Sequence, residues 1–168
     1  MPWPDGSWGK MTEAPDFTPN AAQKILPPIW FFAGLATLAL IHYLYPTPLG
    51  LPVQIKLVGW LIFAAAFVMA WRAKRRFDIA ETPVRPFTES TTVVESGLFR
   101  YSRNPMYLAM CIGITGFAIA IGDGAPFFVI PVFLTLITTQ FILYEERLME
   151  ARFGQSYLDY KSRVRRWL

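Results

Sequence analysis

Four long apolar runs punctuate the chain: Pro28–Tyr45, Val53–Trp71, Pro105–Ile121 and Pro126–Tyr144. Each approaches the roughly 20 apolar residues that a helix needs to cross a bilayer core. Lipid offers no partner for backbone N–H and C=O groups, so runs of this length predict helices rather than open strands. Pro46–Pro52 joins the first two runs and Gly122–Ala125 joins the last two. Connections this short predict two antiparallel hairpins, linked by a middle segment, Arg72–Asn104, rich in charge, serine and threonine. The expected fold is all-α: a polytopic membrane protein of about four transmembrane helices. It divides into a tail (1–26), a first hairpin (27–72) and a core (73–168) that holds the second hairpin and a C-terminal cytoplasmic helix.

Composition supports this frame. Of the 168 residues, 54% are hydrophobic and only 17% charged, against about 25% charged in soluble domains. That excludes a disordered chain. Cys111 is the single cysteine, which excludes a disulfide scaffold. Among the 16 lysines and arginines, Lys10 and Lys24 precede the first run and Lys56 lies within the second. The others fall in the middle segment or after the fourth run, and both short loops have none. The positive-inside rule then places both termini and the middle segment in the cytoplasm, with a bacterial plasma membrane as the expected location. The basic charge reads as topology and contact with anionic lipid, not as a nucleic-acid surface. Lys56 is expected to snorkel to the outer interface. Residues 1–24 lack the apolar stretch of a signal peptide, and Trp3, Trp8 and Phe17 are placed to rest on the membrane surface.

Two segments carry candidate chemistry. Thr91–Tyr107 leads straight into the third run. Asn104 suits an N-cap and Pro105 a first helical residue. The free N–H groups of that helix start favour an anion, Arg103 can hold a carboxylate with two hydrogen bonds, and Gly97 permits a positive-φ turn. The second segment is Tyr144–Leu168. A helix from Phe127 to Phe153 is about 40 Å long, with Glu145 about 27 Å along it. Glu145 and Glu146 point about 100° apart, so one faces the bundle and the other meets solvent or an arginine. Acidic groups at this depth are costly and often functional. Gly154 reads as a helix stop.

Elsewhere the polar residues are mild. Thr135, Thr138, Thr139 and Gln140 are expected to join helices, and Ala109, Gly113 and Gly116 to let helices approach closely. His42, the one histidine, reads as an interfacial residue near the outer end of the first run.

Taken together, Ser96-Gly97, Arg103-Asn104-Pro105-Met106-Tyr107, a helical hairpin, Glu145-Glu146, Phe153-Gly154, Tyr157, Tyr160 and Arg163-Val164 resemble the isoprenylcysteine carboxyl methyltransferase and phospholipid methyltransferase family of membrane enzymes. The resemblance covers roughly 82–168. It implies methyl transfer from S-adenosylmethionine to a lipid or isoprenoid-like acceptor, through carboxyl or amine. It also implies a cofactor site lined by Thr91, Thr92, Val93, Val94, Phe99, Arg103, Asn104, Pro105, Met106 and Tyr107, with Glu145 for the donor's ammonium. An amine acceptor must lose a proton, for which Glu146 and Tyr107 are the candidate catalytic residues. Two departures stand out: Asn104 replaces the histidine of many members, and Phe141 replaces a substrate-binding arginine of the prenylcysteine enzymes. The alternatives are an NADPH-dependent membrane sterol or steroid reductase and a non-enzymatic four-helix scaffold.

Overall fold

The computed structural model describes residues 20–23, 25–80 and 92–168, so the expectations for Trp3, Trp8, Phe17 and Thr91 lie outside the described residues. Among them the structure is helical. The first run forms α1 (Pro27–Leu44), which opens on two prolines whose φ is already helical. The second forms α2 (Val53–Ile79) and the third α3 (Pro105–Ile121). The fourth is one helical rod, Ala125–Phe153, made of a 3-10 turn, α4 (Val129–Ile137), a π-helical turn over Thr138–Ile142 and α5 (Leu143–Phe153). Gly154, at φ +52°, ends the rod, and α6 (Gln155–Arg163) follows.

Three helices are long and apolar enough to cross a membrane: α1, α2 and Ala125–Phe153. At 17 residues α3 is shorter. The polar character of Arg72–Ile79 had assigned it to the connecting segment, but it continues α2 and carries it through the 72–73 boundary. Lysine and arginine are good helix formers. Lys74 pairs with Asp78 one turn on, and the Arg75 guanidinium lies over the Trp71 ring.

The two short loops join α1 to α2 and α3 to the last rod, and the most extensive packing lies between α2 and α3. Gly59 and Gly116 allow it. A Cβ on Gly116 would come within 2.6 Å of the Phe63 backbone nitrogen, and one on Gly59 within 2.5 Å of that of Ala120. Ala66 and Ala73 continue the α2 stripe at seven-residue intervals, buried like Ala109 and Gly113 on α3. On the other side α1 and α4 pack on α3, closing a core of Phe31, Leu38, Ile114, Phe133, Ile137 and Phe141.

The π turn has a visible use. Gln23, nearly buried, donates from its amide to the Gln140 carbonyl at 2.7 Å, and Asn20 donates to the Gln140 side chain. Thr138 and Thr139 bond back to their own helix rather than to a neighbour.

At the loop end the hairpin tips grip one another. Leu49 N–H donates to the Gly122 carbonyl, and Gly124 N–H to that of Thr47. Lys56 reaches across Gly122, which sits at φ +78°. His42 is not merely interfacial: its Nδ1 contacts the carboxylate of Asp123, a buried residue. A buried carboxylate calls for a partner, and the imidazole is the one supplied across the hairpins.

Candidate functional site

The opposite end is organised around the first turn of α3. Gly97, at φ +65°, turns the chain into a short 3-10 helix, Gly97–Arg100, with the Arg76 side chain packed on its Cα. Asn104 occupies the N-cap position, but its side chain does not cap the helix. Its amide donates instead to the Arg166 carbonyl at 3.1 Å, while Ser102 Oγ accepts the Asn104 N–H. The reason is tertiary: the C-terminal segment brings carbonyl groups here that need donors.

The adjacent glutamates face different partners. Tyr107 donates its hydroxyl to Glu145 Oε1 at 2.7 Å, with its ring 6.2 Å from that of Phe141. No cation among the described residues pairs with Glu145. Glu146 is only 4% exposed and is held by two guanidinium groups. Arg103 Nη2 donates to Oε1 at 2.8 Å, while Arg166 donates from Nε to Oε1 at 3.0 Å and from Nη2 to Oε2 at 2.8 Å. That hydrogen bonding holds Arg166 firmly protonated.

Residues 160–166 close over this turn. Arg103 Nη1 donates to the carbonyls of Lys161 and Val164, and Arg103 N–H to that of Arg165. Tyr160, buried, donates to the Phe99 carbonyl at 2.8 Å, and Arg163 pairs with Glu95 at 2.9 Å. Burial pushes the hydroxyls of Tyr157 and Tyr160 up from the ordinary tyrosine value, so Tyr160 remains a donor across the neutral range.

The residues named from sequence therefore fall into two groups around one helix start. Arg103, Asn104, Pro105, Tyr107, Glu145 and Glu146 form the polar group. Val94, Phe99 and Met106 pack with Ala73 and Phe77 in a small apolar cluster, the Phe77 and Phe99 rings edge to face at 5.2 Å. Thr92 is exposed and Val93 half-buried beside it. The Phe99 ring is taken up by packing, and the Arg103 guanidinium by Glu146 and the C-terminal carbonyls. Arg103 Nε alone lies buried without a partner among the described residues. Arg166 was not singled out from sequence. Its only signal was an excess of basic residues after the paired glutamates.

S-adenosylmethionine carries an ammonium, a carboxylate and a sulfonium, and the donor set fits the first two. The Glu145 carboxylate, with no cation paired to it among the described residues, suits the ammonium. The start of α3 suits the carboxylate.

The chain is similar to an uncharacterized protein of Haemophilus influenzae, 32% identical over 63 residues, which span all of that protein and 38% of this chain. The family model for phospholipid methyltransferase matches residues 55–156, from inside α2 to the start of α6. That match takes in most of α2, all of α3 and both glutamates, so the chain belongs to the phospholipid methyltransferase family.

Proposed function

We propose that the protein transfers a methyl group from S-adenosylmethionine to an acceptor dissolved in the membrane, at the cytoplasmic ends of α2, α3 and α5. The observation that carries this reading is the Tyr107–Glu145 pair at the first turn of α3, within a chain of a methyltransferase family. In this reading α3 is the fourth crossing, about 26 Å long and sheltered by its neighbours, and both termini are cytoplasmic.

When bound, S-adenosylmethionine supplies an electrophilic methyl on a positively charged sulfur. Glu145 holds the ammonium, and Tyr107 fixes the orientation of that carboxylate. The start of α3 faces the donor's carboxylate, with Thr92 and Val93 along the approach. Catalysis is then chiefly positioning and exclusion of water. A carboxylate acceptor needs no base. For an amine acceptor Glu146 is not free to take the proton, because its carboxylate is engaged by two arginines. An open groove lined by Pro131, Val132, Thr135, Leu136, Thr139 and Gln140 offers an apolar acceptor a seat on the same rod that carries the glutamates.

The test is label transfer. Membranes containing the protein, given methyl-labelled S-adenosylmethionine and lipid extract, should label an organic-soluble product, and membranes containing Glu145→Gln should not. Equal labelling by both would remove Glu145 from the site.

A further inference from the structure

The C-terminal segment makes more contacts with the start of α3 than a tail needs for its own anchoring. Five hydrogen bonds tie residues 161–166 to Ser102, Arg103 and Asn104. Those three residues immediately precede Pro105–Tyr107. Arg166 holds both ends of the arrangement. Its carbonyl accepts from Ser102 Oγ at 3.3 Å and from Asn104 Nδ2 at 3.1 Å, while its guanidinium bridges both oxygens of Glu146 on α5. Glu146 also takes a hydrogen bond from Arg103. Arg166, with Arg103, thus fixes α5, Ser102 and Asn104 to one another.

We propose that Arg166 is a positioning residue: it draws residues 164–166 onto Glu146 and so sets the Ser102–Tyr107 turn in the geometry that receives the methyl donor. This rests on the proposed function for the ligand, but not for the ordering of the turn. Two features favour a positioning role over simple anchoring. The guanidinium makes a two-point contact whose planar geometry fixes direction as well as distance. The Asn104 side chain leaves α3 uncapped and donates from Nδ2 to the Arg166 carbonyl, so the helix start is tied to the C-terminal segment. Lysine keeps the charge but cannot reproduce the planar fork.

The test uses full-length protein in nanodiscs, as wild type, Arg166→Ala and Arg166→Lys. It follows hydrogen exchange over 101–108 without ligand, and calorimetric titration with S-adenosylhomocysteine. Faster exchange over 101–108 in both variants is expected. Affinity should be about tenfold weaker in the alanine variant, with partial recovery in the lysine variant. Activity should show the loss mainly in KM for the donor. Should the alanine variant not fold, the lysine variant carries the same comparison. Unchanged exchange and affinity, or full rescue by lysine, would overturn the positioning role while leaving the proposed function standing. Failure of the wild type to bind the probe would overturn the proposed function, and the coupling of Arg166 to ligand with it.

Discussion

Glu145 and Glu146 are neighbours in sequence with opposite surroundings, and their environments set what each can do. A carboxylate gripped by two guanidinium groups is a fastening. Removing one partner of such a buried pair costs about 3–5 kcal/mol. Glu146→Gln is therefore expected to lower the melting temperature markedly, measured by fluorescence in detergent, whereas Glu145→Gln should leave it nearly unchanged. Tyr107→Phe should weaken S-adenosylhomocysteine binding several-fold without unfolding the chain, since it removes the hydrogen bond that orients the Glu145 carboxylate. Phe99 belongs to packing. Phe99→Ala should destabilise by about 3–5 kcal/mol in a denaturant titration. Tyr160 adds a pH dependence. Its hydroxyl pKa is raised in the folded state by burial. Its contribution is thus complete below the unfolded value of about 10 and declines as pH rises above it. Tyr160→Phe should flatten that alkaline decline.

At the level of elements, the close approach of α2 to α3 depends on glycine. A side chain at position 116 would meet the backbone of α2 at Phe63 and Gly59, so Gly116→Leu is expected to abolish folded, monodisperse protein in size-exclusion chromatography. A lipid-facing change such as Leu61→Ala should not. The element plan was largely legible, because apolar run length and proline placement mark where α1, α3 and the last rod begin. Three features were not legible, for physical reasons. The two extra turns of α2 are made of charged residues, whose helix propensity is high but whose hydropathy hides them. The capping role read for Asn104 was local chemistry, whereas a tertiary contact orients its side chain, whose Nδ2 donates to the Arg166 carbonyl. The π turn at Thr138–Ile142 has no sequence marker of its own; its meaning comes from Gln23, which reaches the Gln140 carbonyl. The candidate site was legible as a set of residues. Its division into an apolar cluster around Phe99 and a polar cluster around Glu146 required the fold.

For the whole molecule, the exposed faces of α1 and α2 carry Leu40, Trp60, Leu61, Phe67 and Val68. Such a surface suits lipid, where apolar contact costs nothing, and concentrates the polar side chains at the two ends of the bundle. One end is locked by His42–Asp123 and the paired loops, and the other is closed by the C-terminal segment over α3. The central claim is that this closed end holds a methyl donor through Glu145. The most direct measurement is calorimetric titration of the purified protein in nanodiscs with S-adenosylhomocysteine, wild type beside Glu145→Gln. The account predicts micromolar binding by the wild type and its loss in the variant, with both proteins equally folded. Absence of binding by folded wild type, or equal binding by both, would contradict it.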